Sequence, residues 1–430
     1  MMPFAYSDTK ASNRYGPILY FLIVGYIVSL FIKNAPVFSN GFMFLILLFA
    51  CINTNPNKYL QQFSNQKINL GIVAFFLVEL ISVLLSTDKA SGFDILSLRL
   101  PLLIIPLAFC LIEFEEKTWH NILLFYVLAT VVASLTGFSY GAFLAIKENN
   151  SVFFYNDNIS QLLLGKQAAY FGLYINVAIL AIIYLISNVE TKGWGFKLLL
   201  IVALIWLLFI NYMLASKMST ISLILILSGL SFIQIIRKKK ILEGLILVFA
   251  LAISTVILAN LFPETISRFK TITQTGFRFD NTNSENSLDD KFDANKWSSG
   301  STRMALWTCG KEIFLKHPLI GTGLGDIRGE LKKKYTEKNF LYALNTNKNL
   351  HCQYFDIGVS MGIVGLIIFL FTFFFYPIKK FIEKQQDFAI SIFISVALCL
   401  LTENMFDRYQ GEEIIAFILP LSAKIFNKKI

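Results

Sequence analysis

The chain has 430 residues, of which 55% are hydrophobic, 15% are charged and 42 are phenylalanine. A soluble domain of this length does not carry so much apolar surface, so the composition excludes a soluble globular protein and predicts a polytopic membrane protein. The formal net charge of +10 is expected to bind the inner membrane surface, where anionic lipids attract Lys and Arg, and nucleic-acid binding is not implied.

Long apolar runs recur along the chain, and each is comparable to the ~20 residues that a helix needs to cross about 30 Å of hydrocarbon. They predict an all-α polytopic membrane fold with about twelve transmembrane helices. The predicted cores are residues 17–33, 36–52, 68–86, 95–113, 120–146, 167–187, 197–213, 218–236, 242–261, 355–377, 387–403 and 412–427.

The basic residues predict how these helices are oriented, because Lys and Arg in short loops stay on the cytoplasmic side of a membrane. The clusters within 237–240, 379–384 and 424–429 fall on one side if both termini are cytoplasmic. One large loop between the ninth and tenth helices then lies on the outer face. The expected division is an N-terminal bundle of about nine helices at 1–261, the large loop at 262–354 and about three C-terminal helices at 355–430.

The large loop changes character along its length. Its first part, up to about Ser301, is rich in Asn, Asp and Ser, which is typical of a mobile surface stretch. Its second part has apolar residues at helical spacing from Met304 to Leu315 and then a stop at His317–Pro318, which predicts an amphipathic helix across the outer mouth of the bundle. The glycines of GTGLGD, 321–326, follow no strand, so they predict a turn and not a nucleotide site.

Charged residues lie within or beside the predicted spans, mostly toward the outer face. Glu79 and Arg99 fall in the third and fourth spans, where they either form a stabilising ion pair or serve a substrate. Lys217 lies at the outer junction of the seventh and eighth spans, where it either binds substrate or extends its amine to the interface. The other outer-face residues are Arg303 and His351 of the large loop and Glu403, Asp407 and Arg408 at the end of the eleventh span.

Cations and a histidine on one outer face suit phosphate chemistry. We expect these cations to stand without a carboxylate cluster, so that Arg binds phosphate in a fork and Lys binds it as a point charge. A lipid-linked pyrophosphate that carries a sugar fits this pattern. The cations would stabilise the charge on the departing diphosphate, while His351 orients or deprotonates an acceptor hydroxyl. Alternatively, His351 only caps the next helix, whose glycines at 358, 362 and 365 predict close helix packing.

Neither a metal nor another cofactor is expected. The sequence contains no cluster of His, Cys, Asp and Glu at zinc-binding spacing and no tight pair of aspartates that would hold a divalent ion. Cys309 and Cys352 are both predicted outside the membrane, and a disulfide between them is an open alternative.

Several motifs of the second half of the chain resemble the O-antigen ligase and polymerase superfamily. They are R-M-A-L-W at Arg303–Trp307, HPLIGTGLG at His317–Gly325, His351, and G-I-V-G at Gly362–Gly365. The similarity in order and content runs from about Gln167 to Leu421, and the predicted spans with one large loop resemble the C-type glycosyltransferase architecture of that family.

The resemblance implies an enzyme of the bacterial inner membrane that takes a glycan from undecaprenyl pyrophosphate and transfers it on the periplasmic face without a metal. It assigns the catalytic role to His351 and donor pyrophosphate binding to Arg303. Lys217, which stands where the family usually has Arg, and Arg99 complete our predicted pyrophosphate site. Cys352 stands where the family usually has Asn, Ser or Gln.

Three acceptors remain open within this superfamily. A ligase transfers the glycan to lipid A core, a polymerase transfers it to another lipid-linked glycan, and a related branch transfers it to protein hydroxyls. A polysaccharide flippase is an alternative of a different class, in which Glu79, Arg99 and Lys217 would line a substrate path. The sequence shows no repeated halves, and a transporter has little use for a long loop that carries a histidine.

Overall fold

The computed structural model describes residues 9–33, 35–113, 116–188, 193–237, 275–281 and 296–425, together with scattered residues between 239 and 260. These residues form helices and connecting loops, and none of them lies in a β-strand. The predicted ninth span at 242–261 and most of the polar first part of the large loop lie outside the described residues. The all-α class is confirmed for the part that is described.

The helices are numbered here in chain order. Those before the large loop are α1 (Thr9–Ser29), α2 (Pro36–Asn53), α3 (Tyr59–Asn65), α4 (Lys67–Leu85), α5 (Lys89–Leu98), α6 (Pro101–Leu111), α7 (Glu116–Lys147), α8 (Asp157–Leu164), α9 (Ala168–Asn188), α10 (Trp194–Met213) and α11 (Lys217–Ile236). Those after residue 296 are α12 (Ser299–Lys316), α13 (Ile327–Glu337), α14 (Leu341–Asn345), α15 (Gln353–Leu370), α16 (Tyr376–Glu383), α17 (Asp387–Cys399) and α18 (Tyr409–Ile425). A π-helical turn, Phe371–Phe375, joins α15 to α16.

Six of the described helical segments are long and apolar enough to cross a membrane, so the chain is a membrane protein. They are Pro36–Asn53, Lys67–Leu85, Lys117–Lys147, Ala168–Asn188, Trp194–Met213 and Gln353–Glu383. Each predicted core outside 242–261 falls largely on a helix, although α1, α11 and α17 offer only shorter apolar stretches. The total of about twelve spans and the cytoplasmic position of the termini stay predictions.

The predicted fourth span, 95–113, is not one straight helix. α5 ends at Leu98, α6 begins at Pro101, and the two helices are bent by 44° at this break. Proline lacks a backbone N–H and has a fixed φ that suits the first turn of a helix, so Pro101 starts a new helix instead of continuing the old one. The bend places Arg99 in the interior of the bundle, where its side chain is fully buried.

The centre of the bundle is built around α6, which packs against α2, α4 and α18. Its side chains Leu102, Ile105 and Phe109 are completely buried. Peripheral helices are different, since α2 and α10 expose large apolar side chains such as Val37 and Ile205. Helices that are apolar on all sides therefore either fill the interior or face hydrocarbon, as a membrane bundle requires.

The described part of the large loop has a second, smaller core. Trp297 is completely buried, with its ring 4.7 Å from that of Phe340 and 5.6 Å from that of Tyr342 between centroids. Such rings bury about 150–250 Å² each and contribute much of the stability of a small core. α12, α13 and α14 pack around this aromatic cluster.

The amphipathic helix predicted from Met304 to Leu315 is present as α12. It begins with a capping box formed by Ser298 and Ser301 and ends at His317, as predicted. One part of the prediction was wrong, because Met304 and Leu315 belong to the predicted apolar stripe but are exposed.

The stretch Pro318–Gly323, which ends in the first glycines of GTGLGD, docks into a break in α15. At Gly362 the helix leaves helical geometry with φ +66°, and a side chain there would collide with the docked backbone. The freed N–H of Ile363 donates to the carbonyl of Pro318 at 2.9 Å, and the N–H of Gly323 donates to the carbonyl of Ser360 at 2.8 Å. The close approach predicted at position 362 is therefore between a helix and the loop, and not between two helices.

A second anchor joins the loop to the turn between α4 and α5. The carboxylate of Asp326 accepts hydrogen bonds from the backbone N–H groups of Thr87 at 2.7 Å and Asp88 at 2.8 Å. Charge-assisted hydrogen bonds of this kind are among the stronger ones in proteins. The stretch before α13 is thus fixed to the bundle at two points.

Candidate functional site

One cavity of about 480 Å³ opens where the large loop meets the bundle. Its walls come from the starts of α8, α9, α11 and α12 and from the segment between α17 and α18. Three of the four predicted site residues, Lys217, Arg303 and His351, line it together, and Arg99 does not.

The first turns of three helices face this cavity. Ala168 begins α9, Lys217 begins α11 and Ser299 begins α12, and all three residues line the wall. Helix N-termini carry partial positive charge and free N–H groups, which favour bound anions. α12 is capped by its own serines, whereas Ser216 makes no side-chain hydrogen bond at the start of α11. The N-terminus of α11 therefore offers N–H groups to a ligand.

Arg303 projects from the first turns of α12 and is about a quarter exposed. Its Nη2 donates to Oε1 of Glu403 at 3.0 Å and to the carbonyl of Thr402 at 3.2 Å, to which Nε also donates at 3.3 Å. Its Nη1 donates to the carbonyl of Ser299 at 3.3 Å. A guanidinium has five N–H groups, so one on Nη1 remains for a ligand.

His351 occupies the turn before α15 with a left-handed φ of +47°. Residues other than glycine rarely adopt this conformation, and such strained positions often lie at functional sites. Its Nδ1 is 3.4 Å from Oε2 of Glu403, and its side chain is 29% exposed. The ring therefore reaches the cavity with one nitrogen already engaged.

Glu403 is the functional residue that the sequence reasoning did not assign. Its carboxylate bridges Arg303 and His351, one oxygen to each. Burial alone would raise the pKa of Glu403, but the hydrogen bond and charge of His351 together with Arg303 outweigh burial and hold the pKa below its usual range. The carboxylate is thus ionised at neutral pH.

The expectation that the outer-face cations stand without carboxylates was therefore wrong. Arg303 shares Glu403 with His351, and Arg99 is surrounded by acids. The only available signal was the position of Glu403 at the outer end of its span, and sequence cannot tell which cation such a residue will meet.

Lys217 is the first residue of α11 and is partly buried. Its Nζ donates to the hydroxyl of Ser299 at the start of α12, so the amine lies between two helix N-termini.

Arg99 is held in a separate, buried network. It forms the predicted ion pair with Glu79, which is confirmed, and its Nη2 lies 3.0 Å from Asp407 and 3.7 Å from Asp356. The side chain of Arg99 is 1% exposed and reaches no part of the cavity wall. The structure therefore separates Arg99 from Lys217, Arg303 and His351.

Trp307 adds an aromatic surface to the cavity, one turn after Arg303 on the same face of α12. One side of the indole stacks on Phe355, with 5.8 Å between centroids and an angle of 8° between the rings. Its Nε1 donates to the carbonyl of Leu350 at 3.0 Å. The ring is therefore held rigidly at the wall, next to the segment that carries His351.

Within the described ranges, no group of three or more His, Cys, Asp or Glu side chains is arranged to hold a metal ion. All five cysteines are described and all are free, so the disulfide between Cys309 and Cys352 is not formed.

The comparison with protein families agrees with the resemblance that the sequence motifs indicate. Residues 202–370 match the model of a family described as O-antigen ligase. A search of curated protein sequences gave no match. The matched stretch includes Lys217, Arg303 and His351, which line the cavity together. The stretch from 202 to 370 is thus similar to the O-antigen ligase family.

Proposed function

We propose that the protein is a membrane glycosyltransferase of the O-antigen ligase type. It transfers a glycan from undecaprenyl pyrophosphate to an acceptor hydroxyl on the periplasmic face of the bacterial inner membrane. The observation that carries this proposal is the meeting of Lys217, Arg303, His351 and Glu403 in one cavity within the family region.

The donor diphosphate binds between Lys217 and Arg303. Both cations face the cavity, and the uncapped start of α11 adds backbone N–H groups beside them. As the glycosidic bond breaks, negative charge grows on the departing diphosphate, and fixed positive groups stabilise that charge more than the charge of the bound donor. Arg99 is assigned no part in this binding, because acids surround it.

The acceptor hydroxyl is activated by His351. With Nδ1 donating to Glu403, Nε2 carries the lone pair that accepts a proton. The acceptor oxygen forms a bond to the anomeric carbon of the donor sugar, the bond from that carbon to the diphosphate oxygen breaks, and the acceptor proton moves to Nε2. Glu403 stabilises the imidazolium that results, as the carboxylate of a catalytic triad does.

A flippase is a less suitable function for this site. A transporter has no need for a histidine paired to an ionised carboxylate at one end of the path, and Arg99 is already neutralised within the bundle. The acceptor is left to experiment: lipid A core, a lipid-linked glycan and a protein hydroxyl are all compatible with one activating base.

The test uses purified protein and undecaprenyl pyrophosphate that carries a glycan. Free undecaprenyl pyrophosphate and glycan on each of the three acceptors are measured. His351→Ala should bind the donor but transfer at least about a hundredfold more slowly, in the range of general-base losses. His317→Ala is the matched control, since His317 is an exposed residue at the end of α12.

Two results would count against the proposal. Unchanged transfer by His351→Ala would remove the histidine from the reaction. Absence of transfer to every acceptor, with lipid-linked glycan instead crossing the bilayer of vesicles, would identify a flippase.

A further inference from the structure

A chain of hydrogen bonds runs from the buried Arg99 to the segment that carries His351. It is called here the Arg99 network, and its members are Glu79, Arg99, Asn349, Asp356, Asn404 and Asp407. The mechanism proposed above uses none of them.

The network begins at the bend between α5 and α6. Arg99 meets Glu79 from α4 on one side of its guanidinium and Asp356 and Asp407 on the other. Removing one partner of a buried ion pair is strongly destabilising, because the remaining charge is left without compensation. Asp407 is therefore held in place by Arg99 through a 3.0 Å contact.

From Asp407 the network divides toward the turn before α15. Its Oδ2 accepts hydrogen bonds from Nδ2 of Asn349 at 3.0 Å and from Nδ2 of Asn404 at 3.2 Å. The two amides then accept backbone N–H groups with their oxygens: Asn349 from His351 at 3.1 Å, and Asn404 from Cys352 at 2.6 Å.

These contacts hold the backbone at His351 and Cys352, where the conformation of the chain is unfavourable by itself. His351 has a left-handed φ, which is unfavourable for a residue with a side chain and persists only where the surroundings impose it. Asn404 is also the direct neighbour of Glu403. The same two amides therefore set the position of the imidazole and the position of the carboxylate that it meets.

We propose that Asn349, Asn404 and Asp407 are positioning residues for His351, and that Arg99 acts through them. The network holds the imidazole at Glu403 and does not touch the donor. This inference rests on the proposed function, because it takes His351 as the base.

The test measures kcat and KM of Asn349→Ala. Asn349 is partly buried and its loss removes one acceptor and one donor, without leaving Arg99 unpaired. A base displaced by about 1 Å reduces the rate on the order of ten- to a hundredfold, so kcat should fall by that factor while KM for the donor changes less than about twofold. Asn345→Ala, at an exposed asparagine of α14, should leave both constants unchanged.

A double variant separates positioning from general loss of structure. In the His351→Ala background, Asn349→Ala should cause no further loss of the residual rate in long incubations, because the group that it positions is absent. Asp407→Asn should reproduce the effect of Asn349→Ala on kcat. The midpoint temperature of thermal unfolding in detergent should be the same for Asn349→Ala as for the control Asn345→Ala.

The outcomes distinguish this inference from the proposed function. Full activity of Asn349→Ala, or losses that multiply in the double variant, would overturn the positioning role while His351→Ala remained inactive. Full activity of His351→Ala would overturn the proposed function itself.

Discussion

Two arginines of this protein meet carboxylates in different ways. Arg99 is 1% exposed and lies among three acids, whereas Arg303 is 23% exposed and shares a single acid with a histidine. Both were predicted from the sequence to bind pyrophosphate. Only the second lines the cavity.

The difference shows what makes a buried cation available to a ligand. A guanidinium taken out of water must be neutralised by its own protein, and the three carboxylates around Arg99 leave it no positive charge to attract a phosphate. Arg303 is partly exposed and shares its one carboxylate with a histidine. It therefore keeps one N–H for a ligand and part of its positive charge. Exposure and the number of acid partners therefore separate a ligand site from a structural one.

The largest expected effect comes from the available arginine. Arg303→Ala should reduce kcat/KM for transfer by a factor that corresponds to about 2–4 kcal/mol of transition-state stabilisation. The loss arises because the departing diphosphate loses its guanidinium contact. The measurement is release of free undecaprenyl pyrophosphate by the purified variant, with Arg278→Ala, which is largely exposed, as the control. Full activity of Arg303→Ala would show that Arg303, like Arg99, does not bind the diphosphate.

Glu403→Gln tests whether the shared acid serves the histidine. Glutamine keeps the shape but removes the charge that stabilises the imidazolium, so kcat should fall on the order of ten- to a hundredfold. The pKa of Glu403 lies below its usual range, so the carboxylate is ionised at neutral pH and the loss should already be complete there. Glu383→Gln, at an exposed acid of α16, is the control. If kcat of Glu403→Gln equalled that of the native protein, Glu403 would serve only as an ion-pair partner of Arg303 and not as a partner of His351.

A smaller effect is expected at Lys217. Lys217→Ala should weaken donor binding about tenfold, the equivalent of about 1.4 kcal/mol, because one charge near the diphosphate is lost. Lys217→Arg should retain activity, since it keeps the charge and adds a fork. Lys316→Ala, at an exposed position, controls for net charge. Unchanged donor affinity in Lys217→Ala would return Lys217 to the alternative interpretation, an amine that merely extends to the interface.

The smallest expected effect is that of a chelator. Lys217, Arg303 and the N-terminus of α11 supply the positive charge that a divalent ion would otherwise provide, so transfer should be unchanged in EDTA. Loss of activity that added Mg²⁺ restores would show that these groups are not sufficient.

Much of the fold follows from hydrophobicity alone. The runs that match α4, α7 and α9 gave helices close to their predicted bounds, because a long apolar segment in hydrocarbon has to satisfy its own backbone hydrogen bonds. The bend at Arg99 was missed although Pro101 marks it in the sequence. The break at Gly362 was missed because it depends on a partner elsewhere, the docked stretch Pro318–Gly323.

The site was predictable in part. Lys217 was singled out because charged residues beside apolar spans are rare, and Arg303 and His351 because they lie in the motifs of the large loop; the structure brings all three to one cavity. The acid partners Glu403 of Arg303 and Asp407 of Arg99 were not predicted, for one shared reason. Sequence shows that acids and bases lie on the same face but not which of them pair, and pairing decides whether a charge is free to bind.

The most direct measurement is the affinity of the purified protein for radiolabelled undecaprenyl pyrophosphate without glycan. We expect Arg303→Ala to raise the Kd at least about tenfold, whereas Asp407→Asn, which weakens the Arg99 network, should leave the Kd within about twofold of the native value. A Kd that rises in Asp407→Asn and stays unchanged in Arg303→Ala would place the diphosphate at Arg99 and not at Arg303.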